Sequence, residues 1–130
     1  MRNVKFDLAI NLINIGFNEK CNTIWINESG VMKVKHLDYA VDNNDIGFAI
    51  IAPTYSDVFK WFRRNHNLHY VPEPKRHFQD NAVNDIYHYS IIDRDGNDVG
   101  YDDGTYIVDE TLEEKAVERL IEIVKELKNG

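Results

Sequence analysis

The stretch from Ala52 to His69, APTYSDVFKWFRRNHNLH, decides the fold because it contains the start, the apolar face and the end of one helix. Thr54 and Asp57 form a T-x-x-D variant of the capping box, in which side-chain oxygens satisfy the free backbone N–H groups of a helix start. We therefore predict a helix that begins at about Tyr55.

The apolar residues of this helix recur at offsets of three, four and seven, which place side chains on one stripe. They are Tyr55, Val58, Phe59 and Phe62. We expect this stripe to be core, and we expect Trp61, which falls just off it, to lie near the periphery. The helix should end near Asn65 or His66, and the composition of 68–71 predicts a strand.

Composition restricts the class of protein. A chain of 130 residues with 43% apolar and 28% charged residues suits one globular domain, which we place at 1–130. The apolar stretches are far shorter than the roughly 20 residues that cross a bilayer. The segment MRNVKFDLAI does not resemble a signal peptide, and the lone Cys21 gives no disulfide pair. We expect a cytosolic protein without a membrane partner.

Charge is distributed unevenly along the chain. The net charge of −7 opposes general binding to nucleic-acid phosphates. From Lys60 to His77 there are five basic residues and one acid, a balance of +4. From Asp80 to Glu114 there are eleven acids and only Arg94 as a base, a balance of −10. The sequence therefore predicts a molecule with two electrically different sides.

Helical spacing also appears near both ends of the chain. The first helix is predicted from about Asp7 to Ile15, with Gly16 and Phe17 as its closing motif. A second capping box, Thr111 with Glu114, precedes the last helix. The apolar face of this last helix consists of Leu112, Ala116, Val117, Leu120, Ile121, Val124 and Leu127.

Strand patterns occupy the remaining segments. Asn22 to Asn27 and Val31 to His36 predict an antiparallel hairpin, and Leu37 to Asp45 predicts a polar loop. Ile86 to Asp93 predicts a strand that turns at Asp95-Gly96 into a second arm over 99–108, with a bulge or second turn.

Two prolines, Pro72 and Pro74, should keep the strand after the central helix short, because neither has an N–H group to donate. The connections between elements are short. We therefore predict an α+β domain with a mainly antiparallel sheet and about three helices packed on one face.

No motif assigns chemistry to the chain. His66 and His69 have H-x-x-H spacing, but they should straddle a helix end, which disfavours a shared metal site. The segment 93–98 lacks the glycine and glutamate positions of a calcium loop and favours a hairpin turn. There is no nucleophile elbow, P-loop or dinucleotide motif. We assign no catalytic residue, metal ligand or cofactor, and whether the chain is an enzyme stays open, with a non-enzyme preferred.

One group of aromatic and basic residues forms a candidate binding surface. It consists of Trp61, Arg63, Arg64, His66, His69, Tyr70, Arg76 and His77. Arginine and aromatic side chains dominate binding hot spots and also recognise phosphate or stacked bases, and the histidines can add charge in mild acid. The alternative, which we prefer for these residue types, is that Trp61 packs against a neighbour while the arginines pair with the acidic half of the chain.

The stretch APTYSDVFKWFRRNHNLH also resembles a motif, roughly A-P-T-Y-x-x-V-x-x-W-F-R-x-x-H-N, of short uncharacterised proteins of Bacteroidales-type bacteria and their phages. Those proteins have an early helix that closes in G-F before a Cys, and an acidic amphipathic last helix. Here the corresponding pieces are Leu8 to Phe17, Cys21 and Glu113 to Leu127, whereas Asp93 to Gly104 does not align. The resemblance implies a phage or mobile-element origin and the α+β arrangement, but no activity or catalytic residue.

Three hypotheses about function follow. The first is a small accessory protein of phage or mobile-element type, in the cytoplasm of a bacterial host, that binds another protein. The second is a small enzyme or ligand-binding domain for a phosphorylated metabolite or nucleotide, held by Arg63, Arg64, Arg76 and the histidines. The third is an inhibitor that mimics nucleic acid with the acidic region from Asp80 to Glu114. The partner and the oligomeric state stay open, and self-association is compatible with each hypothesis.

Overall fold

A computed structural model describes the backbone of residues 2–75, 86–100, 102–107 and 110–129, and the side chains of 2–73, 87–100 and 112–129. These residues form three helices and six strands. The helices are α1 (Phe6–Asn14), α2 (Tyr55–His66) and α3 (Glu110–Asn129). The strands are β1 (Cys21–Glu28), β2 (Val31–Val41), β3 (Ile50–Ile51), β4 (His69–Lys75), β5 (Ile86–Ile92) and β6 (Asp102–Ile107).

All strand pairs are antiparallel, and the strands form two sheets of three. The strand orders are β2-β1-β3 and β4-β5-β6. Three helices with antiparallel sheets confirm the predicted α+β class. None of the helices in the described part of the chain combines the length and the apolar character that a bilayer span needs.

The chain divides into two compact units, an N-terminal unit of residues 1–61 and a C-terminal unit of residues 62–130. The division falls inside α2, between Trp61 and Phe62, so no linker separates the units in sequence. The extent of a single domain over 1–130 stays a prediction. Each unit contains one of the two sheets.

Helix α1 ends as predicted. Gly16 has a φ of +103°, its N–H donates to the Ile13 carbonyl at 3.0 Å, and the Phe17 N–H donates to the Leu12 carbonyl at 3.0 Å. This is the Schellman arrangement, which satisfies carbonyls at a helix end. Because Leu12 and Phe17 are fully buried, the closing motif also contributes to the core of the N-terminal unit.

The hairpin of β1 and β2 turns at Ser29 and Gly30, which both have positive φ angles. The prediction that Leu37 to Asp45 is a loop is wrong in its first half, because β2 continues to Val41. Its pairing with β1 shifts register after His36, so 37–40 form a bulge. The large apolar or aromatic residues of this segment, Leu37, Tyr39 and Val41, occur at every second position. This spacing is the period-two pattern of a strand.

Strand β4 is longer than predicted and contains both prolines. All seven of its residues pair with β5, including Pro72 opposite Tyr89 and Pro74 opposite Tyr87. Prolines two residues apart direct their nitrogens to the same side of a strand, and β4 lies at the edge of its sheet. The missing N–H groups therefore lie on the side away from β5, where they remove no hydrogen bond from the ladder.

The predicted hairpin turn after β5 is confirmed. The Asp93 carboxylate accepts hydrogen bonds from the N–H groups of Asp95 and Asn97, both at 2.9 Å. The predicted irregularity also occurs, since the register between β5 and β6 shifts between Tyr87 and Tyr89. Gly100 allows the chain to pass close to Ile91 of β5, because a Cβ atom at this position would lie 2.8 Å from Cδ1 of Ile91.

Helix α3 buries most of its predicted face. The buried residues of that face are Leu112, Ala116, Val117, Leu120, Ile121 and Val124, and Ile123, which the prediction did not include, is buried as well. The prediction that Leu127 belongs to this apolar core-facing side is wrong, because its side chain is 67% exposed in the last turn of α3. The helix already includes Thr111, and the side chain of this capping-box residue lies outside the described side chains.

Candidate functional site

The candidate surface begins on α2, whose start is fixed by the predicted capping box. The Thr54 N–H donates to the Asp57 carboxylate at 3.3 Å, and the Asp57 N–H donates to the Thr54 hydroxyl at 3.2 Å. These reciprocal hydrogen bonds satisfy free N–H groups of the first turn. The helix begins at Tyr55, as predicted.

The carboxyl end of α2 is equally defined. Asn67 has a φ of +53°, and the Leu68 N–H donates to the Phe62 carbonyl at 3.3 Å. The left-handed residue ends the helix, and β4 starts at His69. This turn places Arg63, Arg64 and His66 in the last turn of α2, where positive charge is favourable to the helix dipole.

The prediction that Trp61 lies near the periphery is wrong, and the preferred alternative, that Trp61 packs against a neighbour, is confirmed. Its side chain is only 7% exposed. Its ring meets the Phe17 ring edge to face, with centroids 5.2 Å apart and planes at 67°. The physical reason is helical spacing, because Trp61 follows the fully buried Val58 by three residues and so shares its face. Trp61 is part of the core of the N-terminal unit.

The rest of the predicted stripe is core. Tyr55, Val58 and Phe62 are buried, and Phe59 is half-buried, with its ring 6.4 Å from that of Tyr55. The buried face of α2 is therefore wider than the sequence predicts, since it includes Trp61 as well.

Arg63 and Arg64 are both exposed and, within the described side chains, form no ion pair. Arg119 on α3 behaves differently, with Nη1 3.0 Å from Glu122 Oε2 and 3.7 Å from Glu126 Oε1. Described carboxylates thus bind a third arginine of the same unit and leave these two to solvent. The expectation that the arginines pair with the acidic half finds no support among the described residues.

His66 is half-buried, and its ring centroid lies 6.0 Å from that of Phe62. Burial lowers the pKa of His66 below its ordinary value of 6.5, and the positive charge of Lys128 lowers it further. The imidazole is therefore mostly neutral at neutral pH. It adds positive charge only in more acidic solution than the sequence predicts.

His69 and Tyr70 are successive residues of β4, so their side chains point to opposite faces of the sheet. His69 is exposed, whereas Tyr70 is half-buried with its ring 6.3 Å from that of the buried Tyr89. Of these two residues, only His69 is exposed, as Arg63 and Arg64 are. Arg76 and His77 lie outside the described residues.

The acidic region is described only in part. Asp93 binds the amides of its own turn, and the Asp98 carboxylate accepts from the Gly100 N–H at 3.1 Å. These two carboxylates stabilise the local backbone, which is a structural role. Many of the other acids, such as Asp80 and Asp85, lie outside the described residues.

Reactive and metal-binding groups are sparse in the described part of the chain. No group of three or more His, Cys, Asp or Glu residues there could hold a metal ion. Cys21 is buried, and burial, with the charges of Asp57 and Glu19, raises its pKa to about 12. Its thiol is therefore protonated and a poor nucleophile at neutral pH.

Sequence reasoning missed a second polar surface on β2. Lys33 and Lys35 are exposed on one face of the strand, and Tyr39 is exposed in the bulge. The alternation of apolar and basic residues over 31–36 was the available signal, but it predicts only a solvated face. The length of β2 and its position at the sheet edge require the three-dimensional pairing.

The chain was compared with protein-family models, with curated proteins and with solved structures. None of the three comparisons finds a match.

Proposed function

We propose that this chain is a small accessory protein of phage or mobile-element type that acts by binding a protein partner in the cytoplasm of a bacterial host. Its binding surface is the group of Arg63, Arg64 and His69. The observation that carries the proposal is the exposed arginine pair, which forms no ion pair with any described residue. The motif resemblance supports the origin.

The chemistry of this surface favours an acidic partner. A guanidinium presents a planar fork of donors that matches a carboxylate in two-point geometry. The two arginines are adjacent on a helix whose ends are both fixed by hydrogen bonds, so their backbone is held in place before binding. A partner with paired carboxylates would gain charge-assisted hydrogen bonds, and its association should slow as salt screens the attraction.

The test is a quantitative capture experiment from host lysate. The wild-type chain, an Arg63→Glu/Arg64→Glu variant and a Lys20→Glu/Arg94→Glu control, which has the same change in net charge, are immobilised in parallel. We expect the wild-type chain and the control to enrich the same protein and the arginine variant to lose it by at least roughly tenfold. The enriched protein is then purified and titrated against all three chains.

Two outcomes contradict the proposal. If wild-type chain enriches no protein at low salt, the chain does not act by protein binding under these conditions. If the arginine variant retains the partner as well as the control does, binding occurs elsewhere on the molecule.

The two alternative functions gain less support. Arg63 and Arg64 would also suit a phosphorylated ligand, but the lowered pKa of His66 disfavours the charged form of one predicted partner. A nucleic-acid mimic needs free carboxylates, but Asp93 and Asp98 are bound to backbone amides. A thermal-shift screen with nucleotides that stabilised the wild-type chain, but not the arginine variant, would favour the ligand-binding alternative.

A further inference from the structure

The N-terminal unit has a second feature that the proposed function does not use, the outer edge of β2. The strand order places β2 at the edge of its sheet, and its regular pairing with β1 runs from Val31 to His36. Within the described residues no other strand pairs with this outer edge. An edge strand presents N–H and C=O groups that can pair with another chain.

The turn geometry identifies the backbone groups that point outward. Glu28 and Val31 pair across a two-residue turn, so they form the hydrogen-bonded pair that closes the hairpin. Hydrogen-bonded and non-hydrogen-bonded pairs alternate along an antiparallel ladder. The N–H and C=O groups of Met32, Val34 and His36 are therefore directed away from β1.

Two of the exposed side chains of this edge are basic. Lys33 and Lys35 lie on one face of β2, are exposed, and form no ion pair with a described residue. If a strand pairs with Met32, Val34 and His36 by hydrogen bonds, the residues opposite the two lysines form non-hydrogen-bonded pairs, in which side chains lie closer together. Opposite charges at such positions stabilise pairing, and like charges destabilise it.

We propose that the edge of β2 accepts an extended acidic segment of a partner protein as an additional antiparallel strand, with carboxylates opposite Lys33 and Lys35. Backbone hydrogen bonds would supply affinity, and the two lysines would select the sequence of the segment. A second copy of this chain fits less well, because symmetric pairing about Val34 would place each lysine opposite a lysine.

The experiment uses the full chain and a short fluorescent peptide of alternating glutamate and valine, followed by fluorescence anisotropy and by NMR of the backbone amides. We expect saturable binding and shifts at the amides of Met32, Val34 and His36. A Lys33→Glu/Lys35→Glu variant should bind at least roughly tenfold more weakly. The Arg63→Glu/Arg64→Glu variant should bind the peptide as the wild-type chain does, which separates this surface from the proposed function.

A second peptide distinguishes strand addition from simple charge attraction. It has the same sequence and charge, but it is N-methylated at its valines, whose N–H groups face β2 when the glutamates lie opposite Lys33 and Lys35, so that it cannot complete a ladder. We expect its binding to be lost. Equal binding of both peptides, amide shifts confined to other regions, or no binding of the unmodified peptide would each overturn the proposal, and concentration-dependent dimerisation through β2 would assign the edge to a second copy instead.

Discussion

The two sheets protect their edge strands by different means. In the N-terminal unit, β2 has Lys33 and Lys35 on its exposed face, and its outward backbone groups keep their N–H donors. In the C-terminal unit, β4 contains Pro72 and Pro74, which have no N–H to offer on the outer side. Both devices discourage the pairing of like edges. Of these two edges, the lysine edge keeps the N–H donors that an added strand would need.

The comparison teaches that an edge is characterised by its backbone donors as well as by its side chains. Lysine is a mobile, solvated charge, so it repels a basic strand but attracts an acidic one. Proline removes the donor itself, and no choice of partner restores it. We therefore place the strand-binding property in the N-terminal unit and the exposed arginine pair in the C-terminal unit.

The largest expected effect is on the free energy of unfolding, which should depend strongly on the buried tryptophan of the N-terminal unit and little on the exposed arginines of the C-terminal unit. Trp61→Ala should lower the free energy of unfolding by about 3–5 kcal/mol, because it removes a buried aromatic side chain and leaves a cavity beside Phe17. Arg63→Ala, the control, should change it by no more than about 0.5 kcal/mol. Urea denaturation followed by circular dichroism measures both. A cost below about 1 kcal/mol for Trp61→Ala would contradict its place in the core.

The next effect tests the comparison of the edges directly. Val34→Pro introduces a proline at an outward-facing position of β2, as Pro72 and Pro74 do in β4. Because it removes an outward N–H, it should abolish binding of the acidic peptide. Lys33→Pro removes an inward N–H and leaves its partner carbonyl on β1 unpaired. This second variant should be less stable than the first by about 1–3 kcal/mol. Urea denaturation and peptide titration check the pair, and equal stability would show that the assigned direction of the hydrogen bonds is wrong.

A smaller effect concerns the start of α2, which belongs to the N-terminal unit, whereas its last turn belongs to the C-terminal unit. Thr54→Ala removes the hydroxyl that accepts from the Asp57 N–H, so it should cost about 1 kcal/mol of unfolding free energy. Ser56→Ala is a matched control at an exposed position within the helix. If thermal unfolding gives the same loss for both variants, the capping box does not contribute.

Features that depend on local chemistry were predictable from the sequence. The capping box at Thr54, the closing motif at Gly16 and the turn at Asp93 each satisfy backbone groups within a few residues of themselves. Such motifs need no information about distant contacts. The α+β class followed from the same local patterns.

Features that depend on distant contacts were not predictable. Helical spacing from Val58 allows Trp61 to face the core, but its burial also requires Phe17, which lies far from it in the sequence. The length of β4 depends on its edge position, which makes Pro72 harmless to the ladder. For this reason Trp61 does not belong to the candidate surface. Arg63 and Arg64 do belong to it, because long charged side chains remain at the surface unless they are paired.

The smallest expected effect lies beside those arginines, at His66 in the last turn of α2. Because the pKa of His66 is lowered in the folded chain, the unfolded chain binds its proton more readily. The stability that depends on a neutral His66 is therefore present above about pH 6.5, the ordinary value, and decreases as the pH falls below it. An NMR titration of the imidazole measures the pKa.

The two causes of this lowered pKa can be separated by substitution. Lys128→Gln should raise the pKa of His66 without restoring the ordinary value, because burial is the larger cause and the charge of Lys128 the smaller. Lys125→Gln, the control, removes an exposed charge from the same helix, α3, and should have less effect. A pKa that Lys128→Gln leaves unchanged would show that Lys128 does not act on His66. A pKa at or above 6.5 in the wild-type chain would show that the folded chain does not favour the neutral imidazole.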